Sequence, residues 1–314
     1  MRTFSIIALE KYLLWLYLEG ISMRNLRLSL AGLMTLSTLA TVSLTTGASA
    51  NAATAPTLSS CKTTVTSQEH TKGKLTVATD DPGYTPWFVN NTPTNGKGYE
   101  SAVAYAIAGE LGVAKSNVMW VHEPFDSSYE PGPKAFDFDI NEISYTATRA
   151  QAVTFSVSYY DVQQSIVALK TNPIVKKHSA SELKTYTYGD QIGTTGLAYI
   201  TNEIKPTHAP RIYSTLDEAV LALQNGQIDA IVIDTPDGQY MASAQITNAK
   251  KKLIATQVGQ FPSVGEHYGL LFTKGNTLVA CVNVAINALK SSGKLAALQQ
   301  KWLAIYTSVP TIKP

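Results

Sequence analysis

Short apolar runs alternate with stretches of helical periodicity along most of the chain. Residues 74–78 and 118–121 predict strands, and residues 99–111 between them carry apolar side chains at helical spacing. The same alternation continues and predicts strands at 165–169, 228–234 and 268–272 and helices at 277–290 and 293–305. Strands that alternate with helices predict an α/β architecture.

Polar residues follow the strand predicted within residues 136–143. Ser144 comes directly after it, and Thr146 can cap a short helix that carries Arg149. In open α/β sheets, ligands bind outside the carboxyl ends of strands. The planar guanidinium of Arg149 can bind a carboxylate through two parallel hydrogen bonds, so this strand end is a candidate anion site.

The GTTG segment at residues 193–196 marks a second candidate position. Thr194 and Thr195 follow a strand predicted within 184–192 and open a helix, whose first amides favour an anion. Asp234 ends the apolar strand at 228–234 and offers a counter-charge for a cation. A carboxylate and an ammonium held close together, as in an α-amino acid, would satisfy both groups.

The order of the elements predicts two lobes. The chain makes one α/β unit over residues 74–161 and a second over 162–266, and residues 267–314 return with two helices that pack on the first lobe. Residues 51–73 are rich in Thr, Ala and Ser and are expected to form a tail or linker.

Composition and charge exclude some partners. The chain is 45% hydrophobic and 15% charged, which is a globular composition. The net charge of +2 comes from residues 1–50, because four Arg and Lys there face two Glu and the remainder is neutral. A neutral mature chain does not predict binding to nucleic acid.

Residues 1–50 have the order of an export signal. Arginines precede an uncharged stretch at 28–46, and small residues follow, with a cleavage site at Ala48-Ser49-Ala50. Met23 is the expected true start. The expected location is the cell envelope, as periplasm or the outer face of the cytoplasmic membrane, and a retained membrane anchor is the alternative.

The two cysteines, Cys61 and Cys281, can pair in an exported chain. A disulfide would tie the start of the mature chain to the C-terminal helices. A lipid anchor on Cys61, in the LSSC segment, and two free thiols are the alternatives. The five histidines show no metal-ligand spacing and no nucleophile–base motif, so we expect neither a metal nor another cofactor.

A known family contains, in the same order, segments similar to TDDPGYTPWF (79–88), GYESAVAYAIAGELG (98–112), FDFDINEISYTATRAQAVTFSVSYY (136–160), QIGTTGLAYI (191–200), LALQNGQIDAIVIDTP (221–236) and the stretch at 267–303. Over residues 74–305 the chain resembles solute-binding protein family 3, the polar amino-acid receptors of ABC importers. The resemblance implies a type II periplasmic-binding fold, with a mixed sheet flanked by helices in each of two lobes and a two-strand hinge.

The resemblance also implies roles by position. The ligand carboxylate would be bound by Arg149, Ser144, Thr194 and Thr195. The ligand ammonium would be bound by Asp234, to which we add Glu142, a residue that stands where the family often has a small one and that could instead face away. The side-chain pocket would be formed by Asp81, Tyr84, Trp87, Phe125 and Gln191.

The function implied is that of a monomeric extracytoplasmic receptor. It would close on a small polar amino acid and deliver it to an ABC-type permease in the membrane. Asp81 and Glu142 together would favour a polar or cationic ligand side chain. Two alternatives stay open: a cyclohexadienyl or arogenate dehydratase, in which Asp234 or Glu142 would act as the acid, and a sensory amino-acid receptor.

Overall fold

The structure is a computed structural model that describes residues 55–313. The predicted export signal and Met23 therefore lie outside the described residues. The helices are α1 (Leu58–Gln68), α2 (Tyr99–Glu110), α3 (Phe125–Ser128), α4 (Arg149–Ala152), α5 (Thr195–Tyr199), α6 (Leu216–Gln224), α7 (Thr235–Tyr240), α8 (Leu278–Ser291) and α9 (Lys294–Leu303). In this part of the chain, no helix has the length and apolar character needed to cross a membrane.

Ten strands accompany these helices and confirm the α/β prediction. They are β1 (Leu75–Thr79), β2 (Val118–His122), β3 (Phe138–Asp139), β4 (Val153–Asp161), β5 (Gln164–Leu169), β6 (Gly189–Gln191), β7 (Arg211–Tyr213), β8 (Ala230–Asp234), β9 (Ala255–Gln260) and β10 (His267–Thr273).

The first lobe is built on a five-stranded sheet with the order β2-β1-β3-β10-β4. Strand β1 is parallel to β2 and β3, whereas β10 is antiparallel to β3 and β4. All five residues of β1 are buried, as expected for a strand in the interior of a sheet with helices on its faces. Helix α2 contributes Val103, Ala104 and Ile107 to a core shared with α8 and α9.

The second lobe contains an antiparallel sheet, β8-β5-β9, and a parallel pair, β6-β7. A parallel bridge between Tyr188 and Ala230 links the pair to β8. The predicted capping box starts α6: Thr215 accepts a hydrogen bond from the amide of Glu218, whose side chain accepts from the amide of Thr215. Both lobes belong to one compact unit of the chain.

Three connections join the lobes: one runs from β4 to β5, one from β9 to β10, and one from α9 to the last described residues. The sequence did not predict β4, β7 or β9 as separate strands. The strand predicted at 136–143 is paired only at Phe138–Asp139. It ends early because the chain turns at Glu142, whose φ of +54° lies in the left-handed region and is incompatible with an extended strand.

Residues 51–73 do not form only a tail, because they contain α1. Thr57 and Ser60 form a capping box at its start, and Val65 is buried in the first-lobe core. A disulfide joins Cys61 to Cys281 on α8, as predicted. An isolated helix of this length is marginal in water, so α1 depends on this docking. The disulfide also leaves Cys61 without a thiol for a lipid.

The last described residues return to the second lobe, where the sequence placed them on the first. Thr311 pairs with Gln260 of β9 in a parallel bridge, and Ile312 is buried in the second-lobe core. Gly259 permits this approach, because a Cβ there would lie 2.8 Å from the Ile312 side chain. Because Gly259 has no side chain, the last described residues have room to pack against β9.

Candidate ligand-binding site

A cavity of about 520 Å³ lies between the lobes and is lined by residues from both. The predicted site residues that line it are Asp81, Tyr84, Phe125, Glu142, Arg149, Gln191, Thr194, Thr195 and Asp234. Ser144 and Trp87 are not among its lining residues. Nine positions scattered over more than 150 residues of sequence therefore come together in one space.

Arg149 begins α4 and is buried, with 7% of its surface exposed. Its amide donates a hydrogen bond to the Thr146 hydroxyl at 3.1 Å, although the N-cap position of α4 is occupied by Thr148 and not by Thr146. Nη1 donates to the Ser144 carbonyl at 2.7 Å, and Nη2 donates to the Gly193 carbonyl of the second lobe at 2.9 Å. The guanidinium therefore contacts both lobes.

Two aromatic rings pack against this guanidinium. Its carbon lies 5.3 Å from the ring centre of Phe125 and 4.6 Å from that of Tyr129, within the range of cation–π attraction. Burial lowers the pKa of Arg149, and Tyr129 and Glu266 counteract part of that effect. We call Arg149 with these two rings the arginine end of the cavity.

The predicted hydroxyl ligands differ in their availability. Thr194 caps α5, accepting from the Leu197 amide and donating to the Gln191 carbonyl. Thr195 accepts a hydrogen bond from Gln164 at 3.2 Å, and its own proton can be donated to a ligand. Ser144 does not line the cavity: its hydroxyl donates to Glu266 at 2.6 Å, and its carbonyl accepts from Arg149.

Two carboxylates that line the cavity, those of Glu142 and Asp234, meet a third, that of Asp237, which does not line it. Ligand atoms of Glu142, Asp234 and Asp237 all lie within 4.8 Å of one another, and we call this set the acidic cluster. The left-handed backbone of Glu142 is held by its amide, which donates to Glu100 at 2.7 Å. Glu142 therefore faces the cavity, and the alternative that it faces away is wrong.

Neutral donors surround the acidic cluster. Asp234 accepts hydrogen bonds from the Tyr268 hydroxyl and the Gln164 amide. Asp237 accepts from the Trp87 indole at 2.7 Å, a contact that crosses between the lobes. No side chain of opposite charge forms an ion pair with these carboxylates among residues 55–313.

Crowding and burial both disfavour ionisation of these groups. Burial raises the pKa of Asp234 well above its usual range, and the charges of Glu266 and Asp237 raise it further. Burial likewise raises the pKa of Glu142, with Asp237 and Glu100 adding to it. Burial raises the pKa of nearby Glu100 to about 8, although a hydrogen bond from Tyr159 opposes it. Carboxylates this close cannot all ionise without a cation beside them.

The acidic cluster is also the group of described side chains that could share one metal ion. It offers only carboxylate oxygens, which suit hard cations such as Ca²⁺ or Mg²⁺. An ammonium group uses the same oxygens as hydrogen-bond acceptors. The donor set therefore favours a cation, and its hydrogen-bonding surroundings are compatible with an organic one.

The predicted side-chain pocket is only partly correct. Tyr84 donates to Asp217 across the cleft at 3.1 Å, and exposed Asp81 accepts from Asn91 at 2.7 Å. Trp87 is fully buried, with its ring 5.4–6.0 Å from three tyrosine rings, so it does not line the cavity. Its large apolar ring is stabilised by packing in the core.

Several contributors were missed from the sequence: Tyr129, Asp217, Asp237, Gln164 and Glu266. Asp237 carried a usable signal, since it stands three residues after Asp234 in the first turn of a helix. Tyr129 lay in a segment interpreted as a loop, 123–133, in which α3 and the following turn orient its ring. The other three become neighbours only through strand and loop packing.

Comparisons with known proteins agree with this geometry. The sequence model of the bacterial extracellular solute-binding proteins, family 3, matches residues 75–305. The arginine-binding periplasmic protein of Mannheimia haemolytica is 26% identical over 71% of this chain and 89% of its own length.

Solved structures show the same fold. An amino acid ABC transporter substrate-binding protein from Streptococcus pneumoniae, bound to L-arginine, aligns with a TM-score of 0.60 and 25% identity, over 78% of this chain and 98% of its own. The ancestral amino acid-binding protein AncCDT-1, a precursor of cyclohexadienyl dehydratase, aligns with a TM-score of 0.58 and 27% identity, over 74% and 95%. The type II periplasmic-binding fold is thereby confirmed, and the chain belongs to the bacterial extracellular solute-binding proteins, family 3.

Proposed function

We propose that this chain is an exported receptor that binds a small cationic amino acid and delivers it to an ABC-type import permease. The supporting observation is the charge of the cavity. Its lining contains one guanidinium, Arg149, and seven carboxylates: Asp80, Asp81, Asp126, Glu142, Asp190, Asp217 and Asp234. A ligand with one carboxylate and more than one cationic group complements this distribution.

In the proposed pose the ligand carboxylate binds at the arginine end. Arg149 supplies a charge-assisted hydrogen bond, and the Thr195 hydroxyl donates from the second lobe. The α-ammonium binds Asp234 and Glu142 of the acidic cluster. The side chain then extends past Tyr84 and Phe125 towards Asp81, which lies at the exposed rim.

Binding should favour closure of the lobes. The proposed contacts come from both lobes, so a ligand that makes all of them has a higher affinity for the closed arrangement than for an open one. Arg149 to Gly193, Tyr84 to Asp217 and Trp87 to Asp237 are hydrogen bonds that already connect the lobes. A permease would recognise the closed receptor, which we propose acts as an exported monomer without nucleic-acid partners.

The relatives support the ligand class. The relative from Mannheimia haemolytica is an arginine-binding periplasmic protein, and the structure from Streptococcus pneumoniae is a complex with L-arginine. The same class follows from the excess of carboxylates in this cavity, because an additional acidic side chain on the ligand would be repelled by them.

The test is a thermal-shift screen of the purified protein against the twenty amino acids, followed by calorimetry. L-Arginine or L-lysine at one hundred times its Kd should stabilise the protein by about 2.7 kcal/mol. L-Glutamate, with the same backbone and an anionic side chain, is the matched control and should give no shift. The proposal fails if no amino acid stabilises the chain.

A second candidate function is that of a cyclohexadienyl or arogenate dehydratase. It is favoured by the burial that raises the pKa values of Asp234 and Glu142 well above their usual range, because a general acid needs a carboxyl that holds its proton. Turnover of prephenate or arogenate by the purified protein would establish it. A sensory receptor would bind the same amino acids without supporting their uptake, so transport assays separate that alternative from the first proposal.

A further inference from the structure

The segment between β2 and β3 places Tyr129 at the arginine end. No sequence motif predicted this position. Tyr129 follows α3, where its amide donates to the Ser127 carbonyl and Ser128 is completely buried. The Lys134 ammonium donates to the same Ser127 carbonyl at 2.7 Å. The backbone that carries Tyr129 is therefore held at several points.

Tyr129 and Phe125 form a pair around the guanidinium. Their rings meet edge to face, with centres 5.6 Å apart and planes at 81°. Phe125 lines the cavity, whereas Tyr129 is not among the lining residues and contacts Arg149 at the shorter distance of 4.6 Å. Tyr129 can thus influence a ligand through Arg149 without touching it.

Tyr129 also reaches the second lobe. A Cβ built on Gly193 would lie 2.3 Å from the Tyr129 hydroxyl, so the hydroxyl rests against the backbone of that glycine. Gly193 has a φ of +76°, and its carbonyl accepts the Nη2 hydrogen bond of Arg149. Gly193 of the second lobe therefore contacts both the Arg149 guanidinium and the Tyr129 hydroxyl of the first lobe.

We infer that Tyr129 is a positioning residue that fixes the Arg149 guanidinium across the cleft and thereby couples carboxylate recognition to lobe closure. The inference rests on the proposed function, in which Arg149 binds the ligand carboxylate. Arginine has several rotatable bonds, and packing between two rings limits their freedom before the ligand arrives. A guanidinium oriented in advance retains more of the free energy of its contact with a carboxylate.

The experiment compares two probes, L-arginine and L-argininamide, which differ only in the carboxylate. Calorimetry with Tyr129→Leu should show L-arginine affinity lowered about tenfold, because the cation–π contact and the hydroxyl contact are both lost. L-Argininamide lacks the carboxylate that Arg149 would bind, so the affinity of the variant for it should change much less. The preference for the acid over the amide is the readout that a merely structural role would leave unchanged.

Two further variants complete the design. Tyr129→Phe keeps the aromatic face and should recover most of the acid-over-amide preference, with a residual loss of about threefold from the missing hydroxyl. Tyr105→Leu is the matched control, because Tyr105 is also half-buried, carries Lys115 at 4.5 Å over its ring and does not line the cavity. It should leave both affinities unchanged.

Equal losses for both probes in Tyr129→Leu, or a wild-type preference in that variant, would overturn the role of Tyr129 alone. A wild-type protein that binds neither probe would overturn the proposed ligand class and this inference together. Because Tyr129→Phe alters only the hydroxyl, a folding defect in the leucine variant still leaves the hydroxyl contact to be decided by the phenylalanine variant.

Discussion

At the arginine end a buried cation is surrounded by two carbonyl oxygens and two aromatic rings, whereas at the acidic cluster three carboxylates are surrounded by an indole, a phenol and an amide. Neither end contains an ion pair of its own among residues 55–313. Neutral dipoles orient each charge without neutralising it. Arg149 and the acidic cluster therefore both remain available to form ion pairs with a ligand that has a negative and a positive group.

The two ends differ in how they respond to protons. A guanidinium keeps its proton even when burial lowers its pKa, so the arginine end has a constant charge. The acidic cluster can instead take up protons, because burial raises the pKa values of Glu142 and Asp237, and the charge of Asp237 raises that of Glu142 further. In the proposed pose, the ligand carboxylate would therefore meet a permanent charge, and its ammonium would meet a charge that depends on pH.

The largest expected effect is at the arginine end. Arg149→Ala should weaken amino-acid binding by about 2–5 kcal/mol, the usual cost of removing one partner from a buried charge pair. Arg149→Lys keeps the positive charge but loses the planar guanidinium, so it should recover only part of the lost binding free energy. Calorimetry measures both variants, and wild-type affinity in Arg149→Ala would remove Arg149 from the site.

The acidic cluster should give the next largest effect. Asp234→Asn preserves the shape of the side chain and removes its charge, so binding should weaken by about 2–4 kcal/mol. The matching ligand control is the 2-oxo analogue of the amino acid, which lacks the ammonium. The loss on substitution should be much smaller for that analogue, and an equal loss for both ligands would contradict the assignment of Asp234.

Protonation of the acidic cluster and of the neighbouring Glu100 should appear in the pH dependence of the free energy of unfolding. Acids with raised pKa values stabilise the folded state at low pH and lose that contribution as the pH rises through the folded-state pKa. For Glu100 this window runs from the ordinary value of 4.5 to about 8. Thermal unfolding of the ligand-free protein should therefore show stability falling as the pH rises across this range.

Glu142→Gln removes one of the crowded charges and should flatten this profile. Near pH 8.5 the variant should be more stable than the wild type by about 1–3 kcal/mol. Glu203→Gln, at an exposed position on the second lobe, serves as a control and should leave the profile unchanged. A profile that stays as steep in Glu142→Gln would show that Glu142 does not share in the titration.

The smallest effect on binding is expected far from both ends. Cys61→Ser combined with Cys281→Ser removes the bond between α1 and α8, a link across 220 residues, and should lower the free energy of unfolding by about 2–4 kcal/mol. Ligand affinity should stay within about twofold of wild type, because neither cysteine lines the cavity. A large loss of affinity would mean that α1 helps to organise the site.

Residues that follow strands in sequence proved to be the predictable part of the site. Arg149, Thr195 and Asp234 could be identified because each follows an apolar run or a turn signal that marks a strand end. Trp87 and Ser144 were assigned to the site from the family resemblance, yet neither lines the cavity. Trp87 is buried by aromatic packing, and the Ser144 hydroxyl is oriented by Glu266.

The sequence by itself determined the alternation of strands and helices, the family and the two charged residues, Arg149 and Asp234, that line the cavity, because these depend on local periodicity and on residue type. It gave the cysteine pair only as one of three possibilities, and the disulfide in the structure decided among them. Only the tertiary structure decided that Glu142 points inward, that Asp237 joins it and that Tyr129 packs on Arg149. These three depend on a left-handed backbone, a helix turn and a loop brought together from distant parts of the chain. Side-chain direction is set by packing between such segments, and no local pattern records it.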